Sequence, residues 1–262
     1  VGNFAGEVSQ HHDFFSLRTC ACRVEGLTAM AFDYASLTDR LERVYSRRLA
    51  LRPLALSDAW PLYTATRNPL FNRHLLWKAP DSERELLQRV QAIIDAMRRG
   101  RLSALSAVVR ETGEWVSLFR FLPHQLDRGA VEMGIWTHDR FWHGSYSLEL
   151  GRMCVDAAFE VSDADTLIGA AAPDNRASCR LIRTVGLREY RLVERPTEIG
   201  PPVALQEFRL TREEWEALPH TEPSYELVSF IDPPEMMRRR RPAANVEVEN
   251  LDDAKPMQRD AA

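Results

Sequence analysis

Two strand-like runs, Ser103 to Arg110 and Trp115 to Leu122, are joined by the short polar turn Glu111-Thr-Gly-Glu114, and a third run, Ala130 to Thr137, follows soon after. A turn of that length between runs rich in β-branched and aromatic residues makes a hairpin. The middle of the chain is therefore committed to a sheet whose neighbouring strands are consecutive in sequence. On either side the periodicity becomes helical. Between Ser36 and Ser46 the apolar residues Leu37, Leu41, Val44 and Tyr45 have the spacing of a short helix. From Arg48 to Leu54, Leu49, Leu51 and Pro53 alternate with Arg48, Ala50 and Arg52, and this strand runs into Ser57-Asp58, a helix N-cap signal. Ser82 with Glu85 three residues later opens a second helix, whose Leu86, Leu87, Val90, Ile93, Ile94 and Met97 share a face up to Gly100.

Beyond the three strands the spacing predicts a helix from about Ser145 to Val161, a strand from Thr166 to Ala172 and a helix from Asn175 to Val185. Strands follow at Arg188 to Val193 and Val203 to Leu210. The order βααβββαβαββ is a mixed α/β (α+β) fold around one sheet. Residues 1–34 show neither period and are expected to form a poorly structured extension, with Met30 a candidate natural start. After Glu222 the composition turns to Pro, Met and the run Arg238 to Arg241, then to an acidic, alanine-ended tail. The expected division is extension 1–34, one domain over 35–232, and a disordered tail over 233–262.

With 262 residues, a formal net charge of −4 and a mean hydropathy of −0.34, the chain has no general attraction to nucleic acid or anionic membrane. The Arg238 to Arg241 run is short enough to be a solvated stretch of tail. No apolar run approaches the ~18 residues of a membrane span, and no secretory leader pattern is present, so a cytoplasmic location is expected. Of Cys20, Cys22, Cys154 and Cys179 only the first two are close in sequence; no metal site is expected, and the thiols read as inert in a reducing compartment.

The stretch Glu132-Met-Gly-Ile-Trp-Thr-His-Asp-Arg-Phe-Trp-His-Gly-Ser-Tyr-Ser-Leu-Glu-Leu150 resembles the acyl-CoA signature of GNAT N-acetyltransferases, especially the RimJ/RimL-type group that acetylates amino termini of ribosomal proteins. Asn175-Arg-Ala-Ser-Cys-Arg-Leu-Ile-Arg-Thr-Val-Gly-Leu187 resembles that family's closing block, and Arg48 to Leu54 with Ser57-Asp58-Ala59 its opening. The three blocks stand in the family's order over roughly residues 46 to 215. The resemblance implies a central mixed, mostly antiparallel sheet with helices on both faces and a splayed strand pair. It also implies acetyl-CoA as co-substrate, with no metal, and a primary amine as acceptor: a protein amino terminus first, a small amine or polyamine next. Oligomeric state is not readable.

The resemblance implies that the pyrophosphate of coenzyme A sits at the turn Arg140 to Tyr146, where a helix N-terminus offers amide donors and the positive end of its dipole. Arg140, His143 and Ser145 fall on the family's conserved places there, and the chain's glycine, Gly144, falls on a variable one. A side chain where glycine is usual crowds the phosphates or forces a left-handed residue, and His143 is the expected place of that strain. Met133, Gly134 and Ile135 are implied to line the pantetheine arm and polarise the thioester carbonyl, although Gly134 also suits a bulge. Glu132 is a candidate base. Glu149 resembles a common family glutamate that is more often structural. Ser178 is a candidate proton donor because Ile182 stands where many members have Tyr, and Asn175 holds the pantetheine region or simply caps its helix. His138 and His143 also read as surface-loop residues. Phe71, Asn72, His74, Leu75 and Trp77 are implied to lie over the acceptor, or to be core. The alternative function is a GNAT-fold acyl-CoA sensor or interaction module with little or no turnover, motivated by His143, Ser145 and Ile182; a further reading makes the tail the partner-binding element.

Overall fold

The computed structural model of the chain describes residues 32–42, 44–124, 127, 129–143 and 145–218, and the backbone of 226–227. Gly144, Cys20, Cys22, residues 1–31 and the tail 233–262 lie outside the described residues.

Helix α1 (Tyr34–Leu41) starts before the expected Ser36 because Asp33 caps it, its Oδ1 accepting from the Ser36 amide at 3.0 Å. It also ends early. Val44 and Tyr45 form strand β1, paired antiparallel with β2 (Leu49–Pro53), so two apolar residues with helical spacing serve a strand edge instead. Asp58 precedes α2 (Ala59–Ala65) but makes no side-chain cap. Its buried carboxylate instead takes both nitrogens of the Arg52 fork, the Ser106 hydroxyl at 2.7 Å and the Ala55 amide at 2.9 Å. The segment expected as a loop contains one short turn of helix, α3 (Pro69–Asn72), capped by Asn68. Helix α4 (Glu83–Arg98) opens as expected, with the Ser82 hydroxyl accepting from the Glu85 amide at 3.2 Å, and stops at Gly100, whose φ is +66°.

Strands β3 (Ser103–Val109), β4 (Trp115–Pro123) and β5 (Ala130–Thr137) are the expected hairpin and third strand. After them come α5 (Tyr146–Val161), β6 (Thr166–Ala171), α6 (Arg176–Thr184), β7 (Arg188–Arg195), β8 (Val203–Thr211), α7 (Arg212–Glu216) and β9 (Glu226–Leu227). Helix α7 follows a capping box, Thr211 with Glu214 three residues later. The strands form one nine-stranded sheet in the order β7-β8-β6-β5-β4-β3-β2-β1-β9. Among the described residues only β5 and β6 pair in parallel, and the other strand pairings are antiparallel.

Strand alternation divides the core in two. Val131 and Met133 of β5 face a cluster built with α1, α5, α6 and Trp215 of α7. Leu118 and Trp136 face the opposite cluster, with Leu62 of α2, Phe71 of α3 and Leu86, Val90 and Ile93 of α4. The sheet is thus covered on both faces, and β5 lies between the two cores.

Candidate active site

Strands β5 and β6 pair only over Ala130–Thr166 to Met133–Gly169. From Gly134 to Thr137 strand β5 continues against β4 alone, while Ala170 and Ala171 pair only with β8. The sheet therefore parts between its two parallel strands, and the unpaired edges present backbone donors and acceptors to whatever enters. On the α5 and α6 side the opening is floored tightly. A Cβ on Gly169 would meet Leu187 at 3.4 Å and Ile182 at 3.6 Å, and one on Gly151 of α5 would meet Val185 at 3.0 Å. Ile182 thus packs on the strand where the gap begins. On the other side, nothing lies within 4 Å of a Cβ at Gly134.

Helix α5 follows β5 after a connection that includes a turn of 3-10 helix, Asp139–Phe141. Its N-cap residue is Ser145, with φ 66° and ψ 17°, and this is the one non-glycine residue with positive φ among the described residues. The strain expected at His143 is therefore carried by Ser145, and His143 is simply exposed. A left-handed serine costs about 1 kcal/mol relative to glycine. The helix is fixed from the side by Glu149, which accepts from the Ser46 hydroxyl at 2.6 Å, the Arg48 amide at 2.8 Å and the Arg48 guanidinium. Burial alone would raise the Glu149 pKa, but these hydrogen bonds and the Arg48 charge outweigh it and hold the carboxyl below its ordinary value. A cleft of about 310 Å³ opens beside this turn, lined by Ser46, Arg47, Arg48, Ser145, Leu148, Glu149 and Arg152. Arg140 turns away, to Glu114 at 2.7 Å, and Tyr146 packs edge-on to Phe141 with the Arg48 guanidinium over its ring at 4.1 Å.

Asn175 caps α6, its Oδ1 accepting from the Ser178 amide at 3.2 Å, and Ser178 is half-buried one turn before Ile182. Burial raises the pKa of both described thiols, Cys154 and Cys179. Glu132 points to the opposite face of the sheet from α6. Its carboxylate is held by the Arg195 guanidinium at 2.9 and 3.1 Å. Behind Arg195 lie Glu207 at 2.7 Å and His124 at 3.3 Å, all three buried.

A model of the GNAT acetyltransferase domain matches residues 48–188, more than half of the chain. The chain belongs to the GNAT acetyltransferase family. It is 22% identical to an uncharacterised N-acetyltransferase, p20, of Bacillus licheniformis over 58% of this chain and 86% of that protein. Among solved structures, a ribosomal-protein-serine acetyltransferase homologue from Vibrio cholerae superposes with a TM-score of 0.56 at 22% identity, covering 64% of this chain and 95% of the other. RimJ of Mycobacterium smegmatis, solved with CoA-disulfide, gives 0.54 at 18% identity, over 67% and 85%. The parting of β5 from β6 is the splayed pair of this GNAT fold, and the chain is an N-acetyltransferase.

The segment implied to cover the acceptor divides in this GNAT domain. Phe71, Leu75 and Trp77 are buried in the core under α2 and α4, Trp77 standing edge-on to Trp136 at 6.0 Å. Asn72 donates to the Thr66 carbonyl at 2.6 Å. His74 alone of the named residues reaches across, to Asp174 at 3.5 Å, next to Asn175. Arg120, His124, Arg195 and Glu207 were missed in the sequence. The signal was there for Arg120: alternation puts it on the same face as Leu118 and Leu122, a charge among core residues.

Proposed function

We propose that the chain transfers the acetyl group of acetyl-CoA to a primary amine, a protein amino terminus or a small amine. The observation that carries this reading is the parting of β5 from β6 at Gly134 and Ala170, on the strand that leads to the N-terminus of α5. An extended pantetheine arm fits an unpaired strand edge, and first-turn amides that lack intrahelical partners suit a pyrophosphate. Arg47 and Arg152, exposed on the neighbouring cleft, add positive charge on the same side.

Acetyl-CoA supplies an activated acyl carbon; the chain supplies placement and proton traffic. The backbone of Met133, Gly134 and Ile135 aligns the thioester and polarises its carbonyl. Glu132 takes the proton that the acceptor ammonium must lose, directly or through one water, and Arg195 fixes the orientation of its carboxylate. The amine nitrogen then bonds to the acyl carbon, the carbon–sulfur bond breaks, and the departing thiolate takes a proton from the Ser178 side or from water. Ile182, packed on Gly169, provides no hydroxyl for that step, so placement carries a large share of the rate. Ser178→Ala and Glu132→Gln are each expected to slow thiol release from acetyl-CoA by ~10- to 1000-fold without abolishing it. Full activity in both removes them from the mechanism.

The same Ile182 favours a second reading, an acyl-CoA-binding module with little turnover. Calorimetric binding of acetyl-CoA without thiol release across a panel of amines would establish it.

A further inference from the structure

The connection between β5 and α5 is tied to α2 and α3 by two neighbouring side chains, His138 and Asp139. His138 reads in the sequence as a surface-loop residue, but its imidazole is only 13% exposed. Its Nε2 stands 3.2 Å from the hydroxyl of Thr64 in α2. Asp139 is bonded on one oxygen by the side-chain amide of Asn68, the cap of α3, at 2.7 Å, and its other oxygen lies 2.6 Å from His138 Nδ1. From β4, the Trp115 ring meets the imidazole edge-on at 6.5 Å, and the Val116 carbonyl accepts the His138 amide at 2.9 Å. Arg140, the next charge along the turn, is engaged by Glu114 at 2.7 Å.

Counting donors and acceptors fixes the protonation of this ring. The Thr64 hydroxyl directs its own proton to the Pro61 carbonyl at 2.8 Å, so it meets His138 as an acceptor and Nε2 carries hydrogen. A carboxylate oxygen is also only an acceptor, so Nδ1 carries hydrogen as well. Both conditions hold together only in the imidazolium ion. Nδ1 has a second neighbour, the Arg140 amide at 3.3 Å, which is itself a donor. That contact is a hydrogen bond only when Nδ1 has lost its proton, and the Asp139 carboxylate then faces a lone pair. The charge of one nitrogen therefore selects between Asp139, with Asn68 behind it, and the backbone of the turn.

His138 lies between the open half of β5 and the first turn of α5. We propose that His138 is a positioning residue for acetyl-CoA: its imidazolium, held by Asp139 and Thr64, sets the β5–α5 connection against α2 and α3, and its neutral form releases the connection and weakens coenzyme binding. This rests on the placement of acetyl-CoA in the acetyl-transfer reading. The sign follows from the geometry: the link is present in the protonated ring and is lost as pH rises.

Calorimetric titration of the full chain with acetyl-CoA from about pH 5.5 to 8.5, the span in which histidine changes charge, tests the proposal. Wild-type affinity should fall across it by about five- to tenfold relative to His138→Gln, the worth of one charge-assisted hydrogen bond. The slope left in that variant belongs to the coenzyme phosphates and the exposed His143. Thr64→Val and Asn68→Ala keep the imidazole and cut its anchors, so each should weaken binding at the acid end toward the wild-type affinity at the alkaline end. Unchanged affinity in both means that the imidazolium acts by charge alone and overturns the proposal. So does a slope identical in wild type and His138→Gln, or one that disappears in His143→Gln instead. The ring is also read without coenzyme: its nitrogen NMR shifts at the acid end should show both nitrogens protonated, and a single protonated nitrogen there overturns the proposal whether or not any variant folds. A doubly protonated ring in a chain that binds acetyl-CoA at no pH sinks the transfer reading and this role together. Binding with the expected pH slope but without thiol release sinks the transfer reading alone and leaves the role of His138 standing.

Discussion

The two halves of β5 share one strand and one hydrogen-bonded neighbour, β4, yet differ in nearly everything else. Over Ala130 to Met133 the second edge is paired with β6, and Glu132 is tied into a roofed row of charges. Over Gly134 to Thr137 the second edge is unpaired, and the face above Gly134 is open. In the first half the backbone edge is already paired and the Glu132 carboxylate is held by Arg195, so the strand offers a positioned side chain there rather than an open edge. In the second half the strand has kept donors for something else. The closed half ties β5 to β6 through the backbone and to β7 through Glu132 and Arg195, and the open half is the continuation of that held strand.

The largest effect should come from breaking the closed half. Glu207 is fully buried between Arg195, Arg191 and His124. Glu207→Ala removes the carboxylate that Arg191 and Arg195 share, leaving each with one partner, Asp127 and Glu132, and is expected to cost about 2–3 kcal/mol in denaturant unfolding. A loss below about 1 kcal/mol would mean the row does not hold the strand. Next comes the latch at the start of α5: Glu149→Gln should cost about 1–2 kcal/mol by removing a charged acceptor of three hydrogen bonds. Burial would raise the pKa of Glu149 and Glu207 alike, but their hydrogen bonds prevail and leave both folded values below the ordinary 4.5. Each therefore stabilises the fold fully above that value and loses its contribution as pH falls through the folded one. An acid titration of stability should be steeper in the wild type than in either variant. The smallest effect is at the open half: Ser145→Gly relieves the left-handed serine and should stabilise by about 0.5–1 kcal/mol, while His143→Gly shifts stability by less than about 0.5 kcal/mol. Reversal of that order would return the strain to His143.

What was legible in the sequence was whatever local periodicity dictates. The hairpin, the Ser82 cap, the Gly100 stop and the Asn175 cap all appear where their residues put them. Errors came where tertiary pairing overrode spacing: Val44 and Tyr45 joined a strand because β2 offered an edge, and Asp58 gave up its cap for Arg52. The candidate site was legible through the motif that spans β5 and α5, but only as a string. That Ser145 rather than His143 takes the left-handed turn depends on how α5 is anchored by Glu149 to the β1–β2 turn, about a hundred residues away. The charge row behind Glu132 was harder still, because its members come from β5, β7, β8 and the loop after β4, and no spacing rule joins them.

The central claim is that the open half of β5 and the first turn of α5 receive acetyl-CoA while the closed half does not change. Amide hydrogen exchange of the full chain with and without saturating acetyl-CoA tests it most directly. The account predicts new protection at Gly134 to Trp136 and Tyr146 to Leu148, with Ala130 to Met133 already protected in the free protein and unchanged. Saturating acetyl-CoA that leaves Gly134 to Trp136 exchanging as before would contradict it.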